Sequence, residues 1–535
     1  MRLPRDPSRF LPLFGLLLAA GSLAACATDA RDTADGKDVG QSEDALTNTD
    51  RALKRLGAKS CADNRAFRCV TLKVPLDHFD ARNPKTIGVT FAVKPAKGPR
   101  RGVMLNIQGG PGYPGIPTAD DWGSIDARIP KEFDVVYFDL RGVGASGAMD
   151  CPHAAEKFYK GALRAMNDVE ERALAAKAAT FSVECPKEMG VSNADLAHYT
   201  TRQAVEDIEA FRKALGYDAF TVYGLSYGTQ LGQTYAAYHA DRVTGLVIDG
   251  VVDLALTDPE YAEDLAKTTD GLLTETLRAC NDDAACSADM GRDAFAVYDA
   301  LAASFDAGPR RITFTLSNGR TTTRTMTRSE FDRATSGAVD GPDDRAAFLH
   351  AMATADHDGD FAPFLALLYD SQSVDPDTTR YMGSGMSDGM YYAFTCNDYG
   401  RAPGETDASR LADYFAHAAR VRATSPRIVD SLYGDLPCVT WPSAKGARSA
   451  LPNGAVAVPT IVLGASGDAA TPYLQGIEIA KRLTNVRLVT VQGGEHVMYG
   501  RELACPDRPV SDFVVAGTMP TERETLCPNV LVAPY

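Results

Sequence analysis

The stretch that decides the fold is TVYGLSYGTQ, residues 221–230, which contains a Gly-x-Ser-x-Gly motif centred on Ser226. A β-rich apolar run, Ala219–Tyr223, precedes this serine, and a helical pattern continues to His239. A strand, a sharp glycine turn and a helix form the nucleophile elbow, in which a strained turn exposes the serine hydroxyl. The flanking glycines are needed because a Cβ at either position would crowd the turn. Ser226 is therefore the candidate nucleophile.

A second match to the same motif, GMSDG at residues 385–389, is centred on Ser387. It lies within and just after the loop-like sequence TTRYMGSGMSD rather than after a β-rich run. Because the elbow needs a strand before the serine and a helix after it, the context favours Ser226. We predict that the Ser387 motif is a chance match.

Strand-like and helix-like segments alternate on both sides of the elbow. Several strand-like runs are continuously apolar, which is typical of strands covered on both faces. The alternation predicts an α/β fold with a doubly wound, mostly parallel sheet. The predicted strands are Val70–Val74, Ile87–Val93, Gly102–Ile107, Phe133–Asp139, Ala219–Tyr223, Val243–Asp249, Thr460–Leu463 and Val486–Val491.

A serine hydroxyl needs a base to act as a nucleophile. In the α/β-hydrolase fold the acid and then the histidine follow the serine along the chain. His496 is the one histidine after the last predicted strand, and Asp468 follows the strand before it. Each residue alone also suits a plainer role, as a helix cap or a surface histidine. The order of all three favours a Ser226-Asp468-His496 triad.

Acyl transfer also needs fixed N–H donors for the oxyanion. One donor is expected to be the backbone N–H of Tyr227, next to the nucleophile. The other is expected from the loop QGGPG, residues 108–112, after the third predicted strand. Pro111 has no N–H, so Gly110 is the candidate there, with a purely structural glycine turn as the alternative.

The strand–helix alternation stops after Asp249 and returns at residue 458. Residues 251–450 are mostly helical in pattern, apart from a hairpin signal at Asn318-Gly319. We predict that residues 59–250 and 451–535 form one α/β-hydrolase core, and that residues 251–450 form a large, mainly helical cap inserted into it.

The N-terminus has the features of an export signal. Three arginines precede an apolar run at residues 10–23, which is too short to span a membrane. The segment ends in Leu-Ala-Ala before Cys26, a sequence that looks like a bacterial lipobox. We predict a lipoprotein signal peptide over residues 1–25, lipidation of Cys26, and a flexible tether over residues 26–58; a plain signal peptide is the alternative. This predicts a membrane-anchored protein of the cell envelope or a secreted one.

The chain has eleven cysteines, and setting Cys26 aside leaves ten. An even number in an exported chain indicates disulfides. Pairing neighbours in order is the simplest hypothesis, although the sequence alone leaves the connectivity open: Cys61–Cys69, Cys151–Cys185, Cys280–Cys286, Cys396–Cys438 and Cys505–Cys527. We expect no metal or cofactor, since no zinc-like cysteine or histidine spacing appears. The net charge of −15 argues against a nucleic-acid partner.

Three motifs together resemble a known family. They are QGGPG at residues 108–112, DLRGVGAS at residues 139–146, and the elbow GLSYGTQLGQTYAAYHADRV at residues 224–243. These resemble exported tripeptidyl aminopeptidases, which belong with the proline iminopeptidases among the α/β-hydrolases, and the resemblance covers about residues 60–530. It implies the same triad, and it supports the pairs Cys396–Cys438 and Cys505–Cys527.

The resemblance also implies cleavage from a free N-terminus, so an acidic group is expected to hold the substrate ammonium. Gln108 stands where the iminopeptidases usually have His, which is nearer the tripeptidyl branch. Glu495 stands where a small residue is expected, just before the candidate base. We name Asp398 and Glu495 as candidates for holding the amine, with a helix cap as the alternative role for Asp398.

The predicted function is that of an exported serine exopeptidase that releases short N-terminal peptides, with membrane contact only through a lipid anchor. Two alternatives remain open. One is an esterase or amidase of the same fold that acts on a non-peptide substrate, because the fold does not fix the substrate. The other is a non-catalytic surface lipoprotein.

Overall fold

The computed structural model describes residues 47–528 except 384, 402–403, 428–430 and 444–454. The predicted signal peptide, Cys26 and residues 27–46 of the predicted tether lie outside the described residues. Within this range the secondary structure comprises twelve strands: β1 Lys59–Ser60, β2 Arg68–Pro75, β3 Thr86–Lys94, β4 Gly102–Ile107, β5 Phe133–Phe138, β6 Phe220–Leu225, β7 Val243–Asp249, β8 Arg310–Thr315, β9 Thr321–Met326, β10 Thr460–Ala465, β11 Val486–Val491 and β12 Glu524–Cys527.

Among the described residues, one α-helix precedes the first strand and the other α-helices lie between strands. Their bounds are α1 Asn48–Arg55, α2 Arg128–Glu132, α3 Pro152–Tyr159, α4 Asp168–Met189, α5 Asn193–Leu196, α6 Thr201–Leu215, α7 Tyr227–Tyr238, α8 Asp258–Asp282, α9 Ala284–Met290, α10 Ala294–Ala303, α11 Arg328–Ala338, α12 Pro342–Asp358, α13 Ala362–Ser371, α14 Asp388–Tyr399, α15 Asp407–Thr424, α16 Tyr473–Arg482 and α17 Ala504–Ala516.

Ten strands form one sheet in the order β1-β2-β3-β5-β4-β6-β7-β10-β11-β12. The pairs from β5 through β12 are parallel, whereas β1, β2, β3 and β5 pair antiparallel to one another. This is the α/β-hydrolase sheet, and the predicted fold class is confirmed.

Apolar residues cover both faces of the sheet. Successive residues of β6 show this, because Val222 belongs to the cluster that includes Phe211 of α6, and Tyr223 to the cluster that includes Phe513 of α17. Side chains alternate between faces along a strand, so a continuous apolar run buries both. The sheet therefore lies between helical layers, and its carboxyl edge remains available for functional loops.

No strand of the described part of residues 250–459 joins the central sheet. The predicted hairpin at Asn318-Gly319 is present as β8 and β9, which form a separate two-stranded sheet. The helices of this segment have an apolar core of their own, with Phe331, Phe348 and Phe364 fully buried.

The helical pair α3–α4 lies before the elbow in sequence but packs on this segment. Arg164 pairs with Asp332 at 2.7 Å, and Arg422 pairs with Glu171 at 2.8 Å. Ser182 Oγ donates to the carbonyl of Pro437 at 2.8 Å. The pair α3–α4, which falls within the predicted first part of the core at residues 59–250, is therefore in contact with the predicted cap.

The predicted tether is wrong for its last residues, because Asn48–Arg55 form α1. Thr47 and Asp50 make a reciprocal capping box at its start, and Ala52 and Leu53 are buried. The capping pattern Thr-x-x-Asp was the available signal. The acidic composition of the preceding residues concealed it.

Among the described residues there are five disulfides, which join the cysteines in the neighbouring order considered above: Cys61–Cys69, Cys151–Cys185, Cys280–Cys286, Cys396–Cys438 and Cys505–Cys527. Such a set is typical of proteins that fold in an oxidising compartment. Among the described helices, none combines the length and the apolar character that crossing a bilayer requires.

Candidate active site

Ser226 lies in the turn between β6 and α7. Its backbone has φ 56° and ψ −126°, a conformation that a non-glycine residue rarely adopts. A Cβ at Gly224 would collide with the carbonyl of Gly228, and a Cβ at Gly228 would collide with the carbonyl of Ile107. Both glycines are therefore required by close backbone contacts. The turn has the geometry of a nucleophile elbow.

His496 and Asp468 are in direct contact. His496 Nδ1 lies 2.9 Å from Asp468 Oδ2 and 3.1 Å from Oδ1. The carboxylate also accepts from the backbone N–H groups of Ala470 and Thr471 and from the Thr471 hydroxyl, at 2.8–2.9 Å. Asp468 is 1% exposed. It is held in one orientation against the imidazole.

The contact between His496 and Asp468 determines the direction in which the pKa of each residue is shifted. Burial alone would raise the pKa of Asp468, but the charge and hydrogen bond of His496 outweigh it, and the pKa lies below its usual value. Burial alone would lower the pKa of His496, but the Asp468 carboxylate outweighs it, and the pKa is raised. The arrangement favours a carboxylate beside an imidazole that accepts a proton readily.

The strand ends bring the elbow close to the loop after β11 that carries His496, called the histidine loop below. Leu225 at the end of β6 is in register with Asp249 at the end of β7. A Cβ on Gly250, the next residue, would lie 2.9 Å from His496 Cε1. A Cβ on Gly109 would lie 3.3 Å from Ser226 Oγ. The imidazole and the serine hydroxyl therefore lie at the same edge of the sheet.

The two candidate oxyanion donors adjoin the elbow. Tyr227 is the first residue of α7, a position whose N–H has no partner within its own helix. Gly110 has φ 109° and lies in the loop after β4, which contacts the elbow through Gly109 and Gly228. The glycines permit a close backbone approach to the site, as an oxyanion hole requires.

The two candidates for holding the amine have other partners. Asp398 accepts from Thr201 N at 2.9 Å, from Thr201 Oγ1 at 2.5 Å and from Gln230 Nε2 at 2.9 Å. It thus caps the start of α6, the alternative role considered for it. Glu495 pairs with Arg501 at 2.6 Å. Neither carboxylate lines the cavity beside the site.

That cavity, called the cap cavity below, has a volume of about 140 Å³ and adjoins the loop of Asp468 through Ala469 and Ala470. This is small compared with the few hundred Å³ of typical ligand sites. Met386 links it to the loop of residues 108–112, called the oxyanion loop below, since its sulfur would lie 3.3 Å from a Cβ on Gly110. Its wall includes Tyr159, Tyr381, Asp388, Tyr391, Tyr392 and Asp435.

Asp388 is the most unusual group of this wall. It is 1% exposed, and its two oxygens accept from the Tyr159 hydroxyl at 3.0 Å and the Tyr381 hydroxyl at 2.8 Å. No lysine, arginine or histidine of the described residues forms an ion pair with it. Burial raises its pKa to about 7. Asp435, which accepts from Tyr391 at 2.7 Å, also has a raised pKa because of burial.

Sequence reasoning missed Asp388, although it lies in the motif set aside as a chance match. Ser387 caps α14 through Met390 N, and its own N–H donates to the carbonyl of Gly112 at 3.1 Å. The segment therefore lies against the oxyanion loop. Its position there was not visible in the sequence, because it follows from the packing of α14.

Comparison with known proteins places the chain in a family. Residues 102–280 match the family described as alpha/beta hydrolase fold, and residues 428–527 match the family described as TAP-like protein. Serine protease Hip1 of Mycobacterium tuberculosis is 29% identical over 480 residues, covering 84% of this chain and 86% of that protein. Tripeptidyl aminopeptidase of Streptomyces lividans is 24% identical over 500 residues, covering 88% and 85%. Carboxylesterase B of Mycobacterium tuberculosis is 27% identical over 471 residues, covering 85% and 85%.

The sheet order, the elbow and these matches all indicate the same family. The chain is a serine hydrolase that belongs to the α/β-hydrolases, in the TAP-like family.

Proposed function

We propose that this serine hydrolase is an exported exopeptidase that releases short peptides from the free N-terminus of its substrates. Ser226 is the nucleophile, His496 the base and Asp468 the acid that orients it. The observation that carries the proposal is the contact between His496 and Asp468 beside the elbow of Ser226.

The reaction proceeds in two steps, acylation of Ser226 and then hydrolysis of the acyl-serine. Ser226 Oγ attacks the peptide carbonyl carbon while His496 Nε2 accepts its proton, and Asp468 stabilises the imidazolium through Nδ1–H. The N–H groups of Gly110 and Tyr227 donate to the oxyanion. The C–N bond then breaks, and the leaving amine takes the proton from His496. Water then attacks the acyl-serine while His496 accepts its proton, and the proton passes to Ser226 Oγ as the ester bond breaks. This releases the carboxylic acid of the cleaved peptide and restores the Ser226 hydroxyl.

The cap cavity supports recognition of a free amine. A buried carboxylate is stable in its charged form only when a positive charge or strong donors compensate the lost hydration. Asp388 accepts from two tyrosine hydroxyls and forms no ion pair among the described residues, although Arg333 also lines the cavity. A substrate α-ammonium would supply a cation. We therefore move the proposed amine contact from Asp398 and Glu495 to Asp388, with Asp435 as a second carboxylate in the same wall.

The small cavity and the helical layer over the sheet support a limit on substrate size. We propose that residues 59–250 and 451–535 form the core, and that the cap of residues 251–450, together with α3–α4, restricts access to chain ends. The similarity to Serine protease Hip1 and to Tripeptidyl aminopeptidase also favours peptide substrates.

Export is part of the proposal. The five disulfides agree with an oxidising compartment. The basic and apolar N-terminus with Cys26 supports a lipoprotein that is anchored by lipid in the cell envelope, or secreted if the signal is a plain one.

An esterase or amidase is the second candidate, because Carboxylesterase B is as similar to this chain as the peptidases are. The deciding experiment compares hydrolysis of Ala-Ala-Pro-anilide with that of its N-acetylated form. Strong preference for the free amine supports the exopeptidase. Equal rates exclude it, and cleavage of esters alone favours the esterase. Failure of a fluorophosphonate to label Ser226 in folded protein would favour a non-catalytic lipoprotein.

A further inference from the structure

We propose that Asp249 is a positioning residue for this hydrolase: its buried carboxylate holds the histidine loop in its working conformation and adds a further negative charge near the imidazole. The inference rests on the proposed roles of Ser226 and His496. Nothing in the sequence motifs assigns a function to this aspartate, which is simply the last residue of β7.

Asp249 occupies the centre of the site. Its strand lies between β6, which leads into Ser226, and β10, which leads to Asp468. Its own main-chain carbonyl accepts from the N–H of Ser226 at 2.9 Å. In register it faces Leu225 on one side and Leu463 on the other. One residue is therefore adjacent to the strands that carry the nucleophile and the acid.

The side chain of Asp249 binds the third element, the loop that carries His496. Its carboxylate accepts from the backbone N–H of Met498 at 3.1 Å and from that of Tyr499 at 2.8 Å. The Tyr223 hydroxyl donates to it at 3.0 Å. Asp249 is fully buried. A buried carboxylate with these donors fixes the main chain two and three residues after His496.

The same loop has an unfavourable backbone. Val497, between His496 and the two anchored residues, has φ 66°. A β-branched residue rarely adopts a positive φ, so surrounding contacts must hold it there. The two N–H bonds to Asp249 begin at the next residue. Without them we expect the loop to relax and the imidazole to move away from Ser226.

The charge of Asp249 also acts on His496. Burial raises the pKa of Asp249 to about 6, against the effect of its donors from Tyr499, Met498 and Tyr223 and of the charge of His496. The negative charge of Asp249 also raises the pKa of His496. Asp468 has the largest effect of this kind, and Asp340 and Asp249 add to it, all against the lowering effect of burial. Asp249 therefore favours the imidazolium that forms when Ser226 loses its proton.

The test uses the variant Asp249→Asn in the full-length protein. The amide keeps the shape but has no charge and sets an NH₂ group near backbone donors. We expect kcat/KM for the anilide to fall roughly 10- to 100-fold, in the range of a lost positioning contact. We also expect the acid limb of the pH profile to move to lower pH by roughly 0.5–1 unit, since a nearby negative charge is lost.

The second readout does not depend on the natural substrate. It is the pH dependence of Ser226 labelling by a fluorophosphonate, which should show the same slower rate and the same shift. The matched control is Asp253→Asn, since Asp253 is also buried nearby but pairs with Arg482 instead. It should lower the melting temperature without moving the acid limb. If the peptide substrate proves wrong, labelling still tests Asp249.

A double-mutant cycle separates positioning from general stability. Glycine at residue 497 accepts a positive φ without strain. In the Val497→Gly background, Asp249→Asn should therefore cost several-fold less activity. If Asp249→Asn does not fold alone, the same comparison is made with Tyr223→Phe, which removes one donor to the carboxylate. Wild-type labelling rates and an unmoved acid limb in folded Asp249→Asn would overturn the proposal, as would strict additivity with Val497→Gly.

Discussion

The sheet edge and the cap cavity each hold a carboxylate that is 1% exposed, Asp468 and Asp388 respectively. The two surroundings shift the pKa of their carboxylate in opposite directions. Asp468 faces His496, two backbone N–H groups and a threonine hydroxyl, and its pKa lies below the usual value although burial alone would raise it. Asp388 has two tyrosine hydroxyls, and burial raises its pKa to about 7.

This difference in surroundings suits Asp468 to the catalytic reaction and Asp388 to binding of a substrate group. At the sheet edge the protein supplies the groups that compensate the buried charge, so the carboxylate and imidazole are organised before substrate arrives. In the cap cavity the compensation is incomplete. A cationic ligand would complete it, which is the physical basis for proposing that the cavity selects an ammonium group.

The largest expected effect is at the nucleophile. Ser226→Ala should lower kcat by roughly 10⁴- to 10⁶-fold, because acyl-serine formation is lost and only binding and the oxyanion donors remain. The melting temperature should stay within a few degrees of wild type. Ser387→Ala is the matched control from the second motif, and it should keep most activity. Full turnover by folded Ser226→Ala would refute the triad.

The second effect is at the acid. Asp468→Asn should lower kcat by roughly 10⁴-fold, because the amide does not hold the imidazole in the required tautomer or stabilise its charged form. Steady-state rates on the anilide and fluorophosphonate labelling should fall together. A change in KM alone would mean that Asp468 acts on substrate binding rather than on His496.

A variant in the cap cavity should affect recognition of the free amine rather than the reactivity of Ser226. Asp388→Asn should lower kcat/KM for the free-amine anilide roughly 10- to 100-fold, since a charge-assisted contact is lost. Hydrolysis of a small ester and labelling of Ser226 should change little. Asp398→Asn is the control, because Asp398 caps α6 instead, and it should affect stability more than amine preference. The reverse result would return the amine site to Asp398.

The same carboxylate predicts a pH effect. Asp388 is charged only above its pKa of about 7, and the ammonium requires the charged form. The ratio of kcat/KM for the free-amine anilide to that for the acetylated one should therefore rise by up to tenfold per unit as pH increases toward 7. Asp388→Asn should flatten the ratio. A ratio independent of pH between 5.5 and 7 would argue against Asp388.

The smallest effect is on stability, and its sign differs between the two regions. A raised folded pKa means that Asp388 contributes stability below its unfolded pKa that is lost as pH rises toward about 7. The lowered pKa of Asp468 means that its contribution is present above the unfolded pKa and is lost as pH falls. At pH 8, thermal melts should show Asp388→Asn a few degrees more stable and Asp468→Asn less stable than wild type. Shifts of the same sign would contradict the comparison.

Local patterns were sufficient for the fold. The eight predicted strands are all present in the central sheet, because continuous apolar runs and glycine turns report burial and chain reversal directly. The sequence did not reveal β1 and β12, which are short edge strands. It also missed α1, whose capping residues follow an acidic segment.

The amino-acid sequence by itself determined the sheet, the elbow and the choice of Ser226, Asp468 and His496 as candidates, because each depends on a short pattern and on chain order. Only the tertiary structure decided which carboxylates surround them. Asp398 and Asp388 look alike in sequence, but packing places one at the start of α6 and the other in the cap cavity. Asp249 likewise acquires its role through Met498 and Tyr499, about 250 residues away, and no local pattern reports such a contact.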